Sequence, residues 1–219
     1  MMEKEKVALT AADFNAIEWH DSNYLNSKGA KQYIKEDYKT AVEYYHLAAA
    51  MGNPQAISNL GYCYLYGRDI EPNLSLAIAY FKIAARHDVV DAAYKLGDIY
   101  SRDKWGVRDR ELSNYYYRMA ASLIIDEEWE GNQVITKSYE LEKYPSLCYA
   151  LGREMAIGGA MNTDLDSAYQ FLRKAEIGYR RELMNGAVMY EQSYEGVQAL
   201  LADAQFDEIR GKYDDEDEE

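Results

Sequence analysis

Small and bulky apolar positions return along this chain at helical spacing. Aligned on Ala41, Ala77, Ser113 and Ala168, the third and fourth following positions are Tyr44 and Tyr45, Tyr80 and Phe81, Tyr116 and Tyr117, and Phe171 and Leu172. The seventh and eighth are Ala48 and Ala49, Ala84 and Ala85, Ala120 and Ala121, then Ala175 and Glu176. Such spacing describes one buried helix face, where alanine lets backbones approach and a ring fills the gap beyond it. Four residues before each small position stands Asp37, Asn73, Asp109 or Asp164, residue types that accept the orphan amide bonds of a first helical turn.

A partner helix precedes each of these. Gly61, Gly97 and Gly152 each lie 16 residues before Ala77, Ser113 and Ala168, and Gly29 lies 12 residues before Ala41. Leu60, Leu96 and Leu151 stand beside the glycines, while Pro54 and Pro145 sit seven residues earlier, where a missing N–H costs nothing in a first turn. The step from Ala41 to Ala77 to Ser113 is 36 residues each time. A helical hairpin of that length cannot bury its apolar face alone, so successive hairpins stack. The pattern predicts an all-α solenoid in a single helical-repeat domain over 1–213. Its parts are a cap helix within 3–21, units at 22–53, 54–89 and 90–123, an insertion at 124–144, a degenerate unit at 145–184 and a C-terminal cap helix within 186–210. Residues 214–219 are six acids in a row and read as a disordered tail.

The Ala-x3-Leu-Gly-x2-Tyr start, the glycine-containing loop, the Asp and the Ala-x2-Tyr/Phe-x3-Ala-Ala finish resemble the Sel-one-like repeat, a longer-looped relative of the tetratricopeptide repeat. The residues that carry the likeness are Ala56, Leu60, Gly61, Tyr64, Gly67, Ala77, Phe81, Ala84 and Ala85, then Leu96, Gly97, Tyr100, Gly106, Val107, Asp109, Ala120 and Ala121. Residues 22–53 look like an ordinary tetratricopeptide unit, and 145–180 fit less well. The resemblance implies a right-handed α/α superhelix of helical hairpins used for protein–protein contact.

It also implies which residues face a partner. In such pairs the concave lining comes from the first helix, at fixed offsets from the glycine. Those offsets select Asn26, with Tyr33 and Ile34, in the first unit and Gln55, Ser58, Tyr62 and Tyr66 in the second. They select Asp91, Tyr94, Asp98 and Arg102 in the third unit and Tyr149 and Arg153 in the fourth. An aromatic and amide lining of mixed charge suits a peptide held by a few aromatic anchors. The basic clamp with which some tetratricopeptide domains capture acidic tails is missing from the equivalent positions, and Asp98 there would repel a carboxylate.

Composition narrows the function classes. The formal charge is −14, from 24 basic and 38 acidic residues, which disfavours nucleic acid and suits a protein or peptide partner of basic or amphipathic character. No apolar run approaches the roughly 20 residues of a membrane helix, and the charged start, Met1 to Lys6, leads into no signal core. A cytoplasmic location is the expectation. Twenty-two tyrosines exceed what the repeat core uses and supply contact residues. Cys63 and Cys148 fall on core positions and read as buried thiols.

Catalysis and cofactors find little footing. His20, His46 and His87 have no partner at metal-ligand spacing, and neither a phosphate loop nor a nucleophile motif occurs. The expectation is no catalytic, cofactor or metal residue. The insertion is acidic around Trp129 and then patterned as a short amphipathic helix; it is either a binding element, which an exposed Trp129 would favour, or a packing helix. The readings stand as a protein-binding scaffold first, a homo-oligomeric structural component second, and an enzyme third.

Overall fold

The computed structural model describes residues 8–124 and 139–216, and every regular element among them is helical. The chain divides into two compact units, 1–93 and 94–219. In the first unit α1 (Ala11–Glu18) precedes two hairpins, α2 (Ser22–Ile34) with α3 (Tyr38–Ala50) and α4 (Pro54–Tyr66) with α5 (Leu74–Ala85). α6 (Val90–Ser101) spans the boundary and pairs with α7 (Arg110–Ser122). The second unit continues with α8 (Pro145–Ile157) packed on α9 (Leu165–Met184), then α10 (Glu191–Leu201) and α11 (Asp207–Glu216).

Local chemistry sets where the helices begin and end. Asp37, Asn73, Asp109 and Asp164 each cap a second helix, accepting the amide N–H three residues on at 2.9–3.2 Å. α4 and α8 open on Pro54 and Pro145 and close on Gly67 and Gly158, at φ 68° and 63°. That left-handed conformation is open to glycine without the Cβ penalty other residues meet. It turns the chain into the loop whose end is the next cap.

Each hairpin closes on the same contact. The small residues Ala41, Ala77, Ser113 and Ala168 are wholly buried, and the bulky residue one turn on, Tyr45, Phe81, Tyr117 or Leu172, lies against the glycine of the preceding helix, Gly29, Gly61, Gly97 or Gly152. A Cβ built on Gly29, Gly61, Gly97 or Gly152 would stand 2.8, 2.8, 2.5 or 2.8 Å from that side chain. The third position behaves differently. Tyr44 and Phe171 are buried, but Tyr80 and Tyr116 are half-buried and stack on Tyr64 and Tyr100 at 5.3 and 5.9 Å.

The N-terminal cap is pinned by charge as well as by apolar contact. Thr10 and Asp13 form a capping box. Asp13 is fully buried, pairs with Lys28 Nζ at 2.6 Å and accepts the Tyr44 hydroxyl at 3.0 Å. Ala16 joins Leu25, Tyr44, Ala48 and Ala56 in the core beneath. At the other end the expected single cap helix is broken. α10 stops at Leu201, a 3-10 turn follows at Ala204–Phe206, and α11 restarts at Asp207 because Asp203 caps the turn by accepting Gln205 N–H. α11 runs to Glu216, so the helix enters the segment read as a disordered tail. Most of the insertion, including Trp129, lies outside the described residues; its end, Tyr139–Lys143, is a 3-10 turn that buries Leu141.

Candidate protein-binding surface

The first helices carry the candidate positions, and the structure sorts them into three kinds. Gln55, Tyr66, Asp91 and Arg102 are exposed, while Asn26, Tyr62, Tyr94, Tyr149 and Arg153 are half-buried. Ser58 and Asp98 are buried, at 0% and 8% exposure, so neither offers surface to a partner. The offset rule places a residue on a helix face; it does not see the neighbouring helix that covers part of that face.

In the unit 1–93 the aromatic positions gather. Tyr33, Tyr45, Asn59 and Tyr62 line a cleft of about 180 Å³. Tyr45 comes from α3, Asn59 and Tyr62 come from α4, and Tyr33 comes from the end of α2. Asn59 donates to the side-chain oxygen of Asn26 at 3.0 Å, which fixes its amide plane. Tyr62 meets Phe81 edge-on at 5.0 Å and stacks on Tyr66 at 6.3 Å. Ile34 and Tyr66, five residues after Gly29 and Gly61, are exposed at 73% and 46%. Burial pushes the Tyr45 phenol upward in pKa, so its hydroxyl stays protonated at neutral pH. Rings with a few polar atoms fit one apolar side chain and its backbone; the volume is below the 300 Å³ or so of a drug-sized pocket.

In the unit 94–219 the same helix face carries charge. Asp98 pairs with Arg102 at 2.8 Å, Lys95 at 3.6 Å and Arg153 at 3.7 Å. Arg153 also engages Glu154 through Nη2 at 2.8 Å and Nε at 3.2 Å. Burial opposes the charge on Arg153, but Tyr117, Glu154 and Asp98 together hold it protonated. Tyr149 is partly covered: its ring meets Tyr179 edge-on at 6.5 Å, and its hydroxyl lies against Gly196 of α10, where a Cβ would come within 2.7 Å. Sequence reasoning selected Tyr149 by offset and had no signal for the α10 backbone above it.

Among the described residues no group of three or more His, Cys, Asp and Glu side chains is placed to hold a metal ion, and no helix is long and apolar enough to cross a membrane. Cys63 and Cys148 are buried free thiols, both pushed up to about 12 by burial.

Helical hairpins, each closed by a near contact at a glycine, define an all-α repeat solenoid. Residues 22–53, 54–89, 90–123 and 145–176 match the Sel1 repeat, and the chain belongs to the Sel1 repeat family. Sel1 repeat proteins generally mediate protein–protein interactions and are typically non-catalytic scaffolds. Over 67 residues, 31% of this chain, it is 35% identical to chitin synthase regulatory factor 3 of Schizosaccharomyces pombe, and the match spans 7% of that protein's length. Among solved structures it is similar to a Sel1 repeat protein from Oxalobacter formigenes, with a TM-score of 0.54 at 20% identity over 79% of this chain and 65% of the other. A protective antigen of uropathogenic Escherichia coli strains, displaying an SLR fold, superposes with a TM-score of 0.48 at 21% identity over 85% and 45% of the two chains.

Proposed function

We propose that this protein is a non-catalytic scaffold that holds an extended or amphipathic segment of another protein on the first-helix face of its repeats. The observation that carries the reading is the cleft between Tyr33, Tyr45, Asn59 and Tyr62, with exposed Tyr66 stacked on Tyr62 beside it. Tyrosines with low side-chain entropy and an amphipathic surface are the residues on which interface energy concentrates. The cleft accepts one apolar side chain of the partner, and the Asn59 amide borders the partner's backbone.

The test is a random peptide-display selection against the intact chain, followed by calorimetry of the selected peptides with the parent, Tyr62→Ala and Tyr66→Ala. Helicity of each variant is matched first. Loss of about tenfold or more in affinity for both variants, the effect of removing a hot-spot ring, supports the reading. Selected peptides that bind parent and variants equally place the contact elsewhere and end it.

A further inference from the structure

A cleft of about 300 Å³ opens between α9, α10 and α11, wholly within the unit 94–219. Tyr169, Arg173 and Glu176 line it from one face of α9, at i, i+4 and i+7. Gln198, Leu201 and Ala202 come from the end of α10, and Arg210 from α11. The break in the C-terminal cap places that last arginine. In an unbroken helix the Leu201 carbonyl would accept the Gln205 N–H; here Asp203 takes that N–H, and Arg210 donates Nη2 to Leu201 O at 2.8 Å instead. Glu176 meets the cleft already paired, because Arg173 Nη1 reaches its Oε2 at 2.6 Å and Arg180 Nη2 its Oε1 at 3.1 Å.

We propose that this cleft receives the C-terminal residue of a partner protein. Three chemistries meet in it. Arg173 spends only Nη1 on Glu176, and Arg210 spends Nη2 on Leu201 O and sets Nη1 3.2 Å from Asp207, so Nε and Nη2 of Arg173 and Nε of Arg210 have no acceptor among the described residues. Planar guanidinium donors match a planar carboxylate, and each group is held by a hydrogen bond before a ligand arrives, which lowers the ordering cost of binding. Gln198 gives Nε2–H to the Tyr194 hydroxyl at 3.1 Å and keeps Oε1 to accept a backbone N–H. Leu201, Ala202 and the Tyr169 ring, which meets Phe206 at 5.7 Å, supply apolar surface. A carboxylate, an N–H and an apolar side chain all sit on one atom, Cα, at the end of a chain. An internal glutamate brings the charge without the apolar group, and inorganic phosphate brings neither the N–H nor the apolar surface.

This shares with the scaffold reading only the premise of a protein partner, and its test uses no residue of the tyrosine cleft and no peptide from the selection, so each fails alone. The intact chain is titrated with acetyl-Gly-Gly-Leu bearing a free C terminus, while the side-chain N–H signals of Arg173 and Arg210 and the Leu201 methyl signals are followed by NMR. The same peptide as its C-terminal amide is the uncharged control. Acetyl-Leu-Glu-Gly amide keeps the charge and the apolar group but carries the carboxylate on a side chain, and inorganic phosphate is the competing anion. Two variants accompany the parent. Arg173→Gln removes free donors and leaves Glu176 paired with Arg180; Ala202→Phe, at an exposed position, fills the cleft with no change of charge. Saturable shifts with the free acid, about tenfold weaker with either amide and in Arg173→Gln as for loss of a charged hydrogen bond, and lost in Ala202→Phe, support the site. No saturable shift, equal binding of either amide, binding of phosphate alone, or indifference to either variant overturns it.

Discussion

Gly97 lies so close to Tyr117 that a single added Cβ would stand 2.5 Å from the ring carbon Cδ1, with two more ring atoms inside 3 Å. Tyr117 is fully buried, and its hydroxyl, 3.2 Å from Ser101 Oγ, is held in place. Ser113 completes the joint by donating to Gly97 O at 2.9 Å. One glycine, one ring and one small residue thus set the separation of α6 and α7.

Gly97→Ala is therefore expected to destabilise the protein despite its better helix propensity. The propensity gain is about 1 kcal/mol, and overpacking a rigid site costs about 1–3 kcal/mol; the Tyr117 ring is wholly buried and held at its hydroxyl, so the cost wins by up to about 2 kcal/mol. Gly152→Ala meets Leu172 Cγ at 2.8 Å and the Ala168 carbonyl oxygen at 3.0 Å, a less severe approach than the 2.5 Å at Gly97, and is expected to cost less. Thermal or denaturant unfolding of the two variants checks the order, Gly97→Ala below Gly152→Ala below parent.

Docking of α1 is expected to depend on pH at both extremes. Burial works against the charged form of Asp13, but Lys28, Thr10 and Tyr44 outweigh it and bring the pKa from 3.8 down to about 2. A lowered carboxyl pKa contributes stability that is complete above 3.8 and is lost as pH falls through about 2. Lys28, likewise desolvated but paired with Asp13, is raised from 10.5 to about 12, so its contribution is complete below 10.5 and lost as pH rises through about 12. Hydrogen exchange of the α1 amides, corrected for intrinsic pH dependence, should show constant protection between pH 5 and 9, as these pKa values require. It should fall in Asp13→Asn throughout that window.

A simultaneous alanine exchange of Tyr62, Tyr94 and Tyr149 would not be a clean surface probe, because none of the three is fully exposed. Tyr149→Ala is expected to loosen α10 by removing the ring on which Gly196 rests and which meets Tyr179, at about 1–3 kcal/mol for a partly buried aromatic truncation. Faster exchange of α10 amides, with α2 and α4 amides unchanged, is the expected signature.

Neither cysteine should react in the native state. Both thiols are wholly buried with pKa raised to about 12, and the thiolate is the reactive form. A thiol reagent at pH 8 is expected to modify neither until denaturant is added, when both react. Rapid native labelling would mean that the hairpins open far more readily than their packing suggests.

The repeat frame was legible because it is local chemistry repeated at fixed spacing. Asp37, Asn73, Asp109 and Asp164 cap the helices they were read as capping, and the small and bulky positions bury together, since capping and helical periodicity depend only on neighbours along the chain. The half-burial of Tyr80 and Tyr116 was not legible: identical periodicity serves a ring in the core and a ring stacked at its edge. The break at 202–206 escaped for a related reason, as its apolar residues Val197, Leu201 and Phe206 read equally as one helix or two.

What the sequence by itself determined is the class, an all-α array of Sel1 hairpins, with its caps and its close-packed glycines, and it named a first-helix face as the proposed contact face. Only the tertiary structure decided which of those residues are available. It buried Ser58 and Asp98, covered Tyr149 with α10, gathered Tyr33, Tyr45, Asn59 and Tyr62 around one cleft, and set Arg102 and Arg153 in ion pairs with Asp98. Exposure and charge balance are properties of residues distant in sequence and adjacent in space, so no spacing rule along one helix contains them.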